Sequence, residues 1–382
     1  MTIDTDRSQL PRVLLAITVF NGGDSVKRCL QSASHLSHDN YLIDVGIFDD
    51  CSPDTKFAAE IAELCDNFGF NYYRSPVNLG IPRNVNLALL TGYHHNYDYV
   101  CISNSDVIYG QRSIELLISS LEQNPQVASL TAYSNNVSIY SIPTTDGGQQ
   151  LANQNIVDQL QEFLFTEFRY TVVSIPAGIS FAIAIPRWAL AKVGLMDPVF
   201  GRGYCEELDW TLRSKAAGYT VGLCPSAFVY HEGSASNLSA GLLKPGETTV
   251  PENEQIIDHR YPLFRRQVRA YQGSVVPALL SNSATRAIMD GLAQNEGYLI
   301  DEETQIKRKA SLNSKMPTFS LETIDEYSVS IVGKCLGLSA VINTQLTDPQ
   351  LLQQFLEDRY CRPANKFDAE CQPSEPHYPT WI

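Results

Sequence analysis

Short strand-like runs that end in asparagine or aspartate turns and lead into helical patterns constrain this chain more than any other feature. Arg12–Val19 (RVLLAITV), Leu42–Phe48 and Tyr99–Ile102 are continuous apolar runs of strand length, as expected where both faces of a strand are covered. A shorter strand is expected around Phe70–Arg74. The turns that follow carry Asn21, Asp49-Asp50, Asn78 and Asn104-Ser105-Asp106. Behind them lie helical faces: Val26, Cys29, Leu30 and Ala33; Phe57, Ile61, Leu64 and Phe68 after Pro53; a stretch reaching Leu90; and Ile114, Leu117, Ile118 and Leu121, stopping before Pro125. Val127–Ala132 makes a fifth strand. The alternation predicts an α/β fold, a mostly parallel wound sheet with flanking helices. Ligands bind such sheets beyond the carboxyl ends of the strands, where all these polar turns converge.

The remainder is less regular. Tyr133–Asn155 is polar and turn-rich and reads as a loop over the site. Val172–Ile185 holds Gly178 between two apolar stretches, and Trp188–Val193 is a short helix. Another helix opens at Gly203-Tyr204-Cys205-Glu206-Glu207-Leu208-Asp209-Trp210, and Tyr219–Leu223 and Ala227–Tyr230 read as strands, the second ending at His231. Ser234–Glu254 turns to Ser, Gly, Pro, Thr and Glu, the composition of a flexible linker. The expected division is therefore a domain over 1–239 and a mainly helical extension over 240–382 with a Pro-rich tail, the first part folding by itself. Ile256–Tyr271 and Ala284–Leu292 are helical stretches of that extension, and no chemistry is assigned to it.

Composition narrows the function. A formal net charge of −14 argues against a nucleic-acid partner, which needs a basic face, but leaves room for a nucleotide met by a few cations or a bridging metal. The nine cysteines form no CxxC pair, so zinc and dithiol chemistry lack support. The N-terminus lacks the apolar core of a signal peptide, and no apolar run is long enough to span a bilayer. A cytoplasmic location is expected, extending to peripheral contact at the inner face of the membrane; oligomeric state is not legible.

Within the turns, Asn104-Ser105-Asp106 supplies hard oxygen ligands for Mn²⁺ or Mg²⁺, and His231 at a strand end is a further ligand candidate. Asp49 and Asp50 are either helix-capping acids or acceptors for a nucleoside, and Arg83 is either a surface side chain or a phosphate contact. Glu206, Glu207 and Asp209 open a helix, where capping is the plain alternative. Asp209 has Arg213 one turn on, which leaves the two glutamates free to act as a base on a hydroxyl.

Arg12 to about Ser236 resembles a family 2 glycosyltransferase of the GT-A fold. The resemblance rests on Thr18-Val19-Phe20-Asn21, Phe48-Asp49-Asp50-Cys51-Ser52-Pro53-Asp54, Asn78-Leu79-Gly80 through Arg83 to Asn86, Asn104-Ser105-Asp106, Ser134-Asn135-Asn136, Glu206 to Arg213, and Tyr230-His231. It departs from the family pattern at Asn104, where the first metal-binding carboxylate is expected, and at Glu207, where an Asp is usual. The resemblance implies an inverting transfer of a sugar from a nucleoside-diphosphate donor to a hydroxyl of a glycan or lipid-linked acceptor, as in polysaccharide synthesis. Thr18, Phe20, Asn21, Asp49, Asp50, Asn78, Arg83, Asn104 and Ser105 would bind the nucleotide sugar. Asp106 and His231 would hold the metal, and Gly178, Gly203, Tyr204 and Trp210 would meet the acceptor. Glu207 would be the base, with Glu206 the alternative. A non-catalytic nucleotide-sugar-binding or scaffold protein of the same fold is the competing reading.

Overall fold

The computed structural model describes residues 10–233, 249–300, 315–325, 328–343 and 351–360. The chain runs β1 (Arg12–Val19), α1 (Asp24–Ala33), β2 (Leu42–Asp49), α2 (Thr55–Phe68), β3 (Asn71–Arg74), α3 (Ile81–His94), β4 (Tyr99–Ser103), β5 (Val107–Tyr109), α4 (Ser113–Glu122) and β6 (Val127–Tyr133). It continues with α5 (Gln154–Phe168), β7 (Val173–Ser174), β8 (Ala182–Pro186), α6 (Arg187–Val193), α7 (Glu206–Ala216) and β9 (Thr220–His231). The elements found by periodicity form for local reasons. Asp54 caps α2 by accepting from the Lys56 and Phe57 N–H groups, and left-handed Gly69 closes it. Pro82 sits in the first turn of α3, where its missing N–H costs nothing.

One nine-stranded sheet has the order β3-β2-β1-β4-β8-β6-β9-β5, with β7 also on β9. Strands β1, β2, β3, β4, β6 and β9 run one way, and β5, β7 and β8 run against them. The mostly parallel wound sheet is therefore as expected. The register sets Val19 beside Asp49 and Asp49 beside Arg74, so the strand ends lie level and their turns share one rim. Three elements differ from the sequence reading. Helix α5 begins inside the presumed polar loop. Strand β5 turns back antiparallel to β9 directly after Asp106. The two expected strands near residue 225 are one strand, whose register shifts around Pro225 because proline has no N–H for the ladder.

The C-terminal part adds α8 (Pro251–Arg260), α9 (Phe264–Gln272), α10 (Val275–Glu296), β10 (Leu299–Ile300), β11 (Thr318–Asp325), β12 (Ser328–Cys335), β13 (Leu338–Asn343) and α11 (Leu351–Tyr360). It is mainly helical as expected, but β10–β13 form a four-stranded sheet that the sequence reading did not include. The single helix expected from Ile256 to Tyr271 is broken, because α8 cannot continue through Pro262. Residues 234–248 of the expected linker and the Pro-rich tail lie outside the described residues.

The boundary expected at 239 marks a change of composition but not of packing. Leu280, Ala284, Ile288, Met289 and Leu292 of α10 share one buried cluster with Leu160 and Leu164 of α5 and Leu223 of β9. Helix α10 approaches α5 so closely that a Cβ on Gly291 would lie 2.2 Å from the Phe163 ring. A chain ended at Gly241 is therefore expected to lose cooperative thermal unfolding and to bind a hydrophobic dye, while Ile288→Ala in the full chain costs about 2–5 kcal/mol. A truncated chain that melts as sharply and as high as the full one would refute the shared core.

Candidate active site

Three side chains meet where β4 and β9 end and β5 begins. Because Val107 pairs with His231 across β5 and β9, the turn before β5 brings Asp106 beside the histidine. Asp106 Oδ1 lies 3.3 Å from His231 Nε2, and Asn104 Nδ2 lies 3.4 Å from the same nitrogen. The other ring nitrogen, Nδ1, is 2.7 Å from the Asn136 carbonyl and must donate to it, which fixes the tautomer. Nε2 then presents a lone pair to a carboxylate oxygen, a pairing that requires a proton or a metal cation between them. Burial opposes charge on His231, but the Asp106 carboxylate and the Asn136 carbonyl outweigh it and raise its pKa. Asn135 clamps the same residue through the backbone, accepting from the His231 N–H at 2.8 Å and donating to its carbonyl at 3.1 Å. One carboxylate, one imidazole and a neighbouring amide are donors of the kind a divalent cation takes. No group of three His, Cys, Asp or Glu side chains arranged for a metal occurs among the described residues.

The turn after β2 is built by its two aspartates. Asp49 is 1% exposed; Oδ1 accepts from the Ser52 N–H and hydroxyl, and Oδ2 from the Tyr72 hydroxyl and Arg74. Four donors fill its lone pairs, so Asp49 is a structural acid, a correction to its expected place beside a nucleoside. Asp50 takes one bond on each oxygen, from the Leu79 and Gly80 N–H groups, and burial pushes its pKa up. It thereby fastens the loop that carries Asn78 and starts α3. Gly80 is required there, with φ +80° and the Gly201 carbonyl 2.5 Å from where a Cβ would sit. Arg83, in the first turn of α3, is exposed and has no side-chain partner among the described residues, as is true of Asn78.

Helix α7 brings the second group of acids. Its approach is strained: Tyr204 and Cys205 both have left-handed φ, +73° and +76°. Asn253 of α8 holds this turn, donating from one amide nitrogen toward the carbonyls of Phe200, Gly203 and Tyr204 at 3.0, 2.8 and 3.0 Å. Glu206 and Glu207 each keep one buried carboxylate oxygen without a partner. Burial, reinforced by the neighbouring Glu207 charge, pushes Glu206 well above the usual glutamate range. Glu207 is raised by burial and pulled back by the backbone N–H groups of α7 and of Ser180. Asp209 is committed elsewhere, bonded to Arg213, Arg260 and Tyr261 at 2.8, 2.8 and 2.9 Å.

The structure unites Asn104, Asp106 and His231, and sets Glu206 and Glu207 together at the start of α7. Ser180 and Phe181 join the two groups. The Ser180 N–H faces Glu207, the Phe181 carbonyl accepts from the Asn104 N–H at 2.9 Å, and the Phe181 ring lies 5.3 Å from the His231 ring. Trp210 does not join them, a second correction. It is fully buried and donates its indole N–H to the Gly194 carbonyl at 2.7 Å. Gly178 is likewise a packing residue, since a Cβ there would meet Ile183 and Thr211 at 2.9 and 3.0 Å. Ser105 is buried, Thr18 donates to the Ser103 carbonyl, and Asn21 donates its backbone N–H to the Ser52 hydroxyl oxygen while its own Oδ1 is buried without a partner among the described residues. Phe20 is half-buried at the same rim. Asn253 and Phe181 were not legible as site residues, because neither carries a local motif.

The raised Glu206 pKa gives a stability test. A carboxyl that holds its proton more tightly when folded contributes stability below the unfolded-state value, and that contribution is lost as pH rises through the folded value. Glu206→Gln, which cannot ionise, is therefore expected to melt higher than wild type at pH 8, with the gap closing near pH 4. Equal melting temperatures across that range would show that Glu206 is not held at a cost.

Residues 15–183 match the model described as Glycosyl transferase family 2. No curated protein matches the chain. Among solved structures, a mannosyltransferase from Pyrobaculum calidifontis in complex with GDP-Man and Mn²⁺ is 13% identical, with a TM-score of 0.43 over 75% of this chain and 77% of that one. GalNAc-T7 with UDP, GalNAc and Mn²⁺ is 13% identical, with a TM-score of 0.44 over 69% and 57%. Residues 15–183 of this chain are therefore similar to glycosyl transferase family 2.

Proposed function

We propose that this protein moves a sugar from a nucleoside-diphosphate donor to an acceptor hydroxyl with inversion at the anomeric carbon. One observation carries the reading: Ser180-Phe181 ties the Glu206/Glu207 pair, buried at Glu206 and half-buried at Glu207, to the Asn104/Asp106/His231 cluster. A cation-binding pair and a base of raised pKa, set on neighbouring backbone, are the parts a single displacement needs. Asp106 and His231 would hold Mn²⁺, which the mixed carboxylate and imidazole set suits better than Mg²⁺, with Asn104 beside them. Such a cation stabilises the charge of the departing diphosphate by several kcal/mol.

The chain's own groups supply the rest. Asn21, Asp50 and Arg83 bind the donor at the strand rim, Arg83 with a guanidinium free to meet a phosphate. Glu207 accepts the acceptor's proton as its oxygen attacks the anomeric carbon and the bond to the diphosphate breaks. Burial keeps Glu207 basic enough to take that proton near neutral pH. Its unpartnered oxygen is the one available to the acceptor. A glycan or lipid-linked sugar is the acceptor class that fits, meeting Gly203 and Tyr204 beside the helix start.

Two measurements test this. Glu207→Gln is expected to lower the transfer rate about 10²–10⁴-fold while nucleotide-sugar affinity stays near wild type. Near-normal transfer by this variant would move the role to Glu206, and near-normal transfer by both single variants would end the claim. Asp106→Ala is expected to remove the metal-dependent part of the thermal stabilisation by a nucleoside diphosphate. Equal stabilisation of wild type and variant, in Mn²⁺ and in chelator, would overturn the metal assignment.

A further inference from the structure

A face of the C-terminal helices carries a charge pattern that neither the fold nor the proposed chemistry uses. The chain has 42 acidic and 28 basic residues, yet between Asp258 and Asp290 there is no acid, only His259 and the arginines 260, 265, 266, 269 and 286. Two of these are committed. Arg260 pairs with Asp197 and Asp209, and Arg265 with Glu254 and Asp258. Arg266, Arg269 and Arg286 are exposed and have no side-chain partner among the described residues.

Large apolar side chains stand among them. Leu263, Val275 and Leu279 are 59%, 69% and 62% exposed, and Val276 lies beside Val275. On α10, Val275, Leu279 and Arg286 fall at i, i+4 and i+11, one face of the helix, while Leu280, Ala284 and Ile288 are buried. On α9, Phe264 is buried while Arg266, Arg269 and Ala270 face outward. The two helices are joined through Gly273 and Ser274 and pack on each other. The pair thus presents unpaired guanidinium groups and exposed aliphatic side chains together, on a protein whose net charge is strongly negative.

We propose that this face docks on the surface of an anionic lipid bilayer. That surface uses both features, since arginines meet lipid phosphates while Leu263, Val275 and Leu279 enter the boundary between headgroups and acyl chains. A polyanion in solution would use only the charge, and a second copy meeting this same acid-free face would set arginine against arginine.

The test is co-sedimentation of the full-length protein with vesicles of phosphatidylglycerol in phosphatidylcholine, against vesicles of phosphatidylcholine alone, at low and high salt. Binding is expected only to the anionic vesicles and is expected to weaken with salt. Arg266→Gln with Arg269→Gln should lower the partition about 25-fold, fivefold for each charge of about 1 kcal/mol, while Arg266→Lys with Arg269→Lys keeps it. Val275→Ser with Leu279→Ser should lower it as well, which a purely electrostatic contact would not show. Melting temperature and nucleotide-sugar affinity should stay at wild-type values in all three variants. Binding that is absent, equal on neutral vesicles, or unchanged in the glutamine and serine variants would overturn the proposal. So would a dimer that forms in solution and is lost in the serine variant while vesicle binding persists.

Discussion

Asp209 is a carboxylate with no contact with water, and much of the site depends on its being satisfied. It lies in the first turn of α7 and binds Arg213 on its own helix together with Arg260 and Tyr261 from about fifty residues further on. A buried charge that loses one partner costs about 3–5 kcal/mol. The bonds therefore come as a set. Arg213 extends the set by donating to the carbonyls of Val193 and Leu195, and Arg260 extends it to Asp197. The end of α6, the loop behind it, α7 and α8 are joined around one anion, and this fixes the direction in which the glutamates at the start of α7 project.

The strain before α7 is stored against that support. Two consecutive residues in the left-handed region, neither of them glycine, cost about 1–3 kcal/mol each. Asn253 offsets this by gathering three carbonyls that would otherwise point at one another. The return is placement: the chain reverses within a few residues and delivers two neighbouring carboxyls, one buried and one half-buried, at the helix start. A relaxed entry with an ordinary side-chain cap would satisfy the first N–H groups of α7 and leave the glutamates facing solvent.

What the sequence disclosed and what it hid follow from range. The alternation of apolar runs and helical faces is local, so β1 to β4, β6 and the rim of Asx turns were legible, and so was the pairing of Asp209 with Arg213. Asp49 and Trp210 were misjudged because burial is decided by what lands on a residue. Tyr72 and Arg74 close Asp49, and the Gly194 carbonyl claims Trp210. The hairpin β12–β13 had a local signal that was passed over. Cys335 pairs with Leu338, and the two residues between them, Leu336 and Gly337, both have positive φ, the geometry of a two-residue turn. Its strands are rich in serine, which hides their period of two. Asn253 had no signal at all, since its three acceptors lie about fifty residues away.

The clamp on His231 reaches further than the histidine. Asn135, which holds it, is packed so tightly that a Cβ on Gly148 would lie 2.5 Å from its amide. The loop carrying Gly148 is tied by Thr145, through N–H and hydroxyl, to the carbonyl of Gly337 at the tip of the C-terminal hairpin. The part of the chain that matches the family ends at residue 183, yet the position of a rim residue is transmitted from residue 337. The C-terminal segment is thus not an interchangeable cassette. A chimera that exchanged it between related proteins would also exchange the loop geometry that seats the histidine, so any divergence of the two segments has to be concerted.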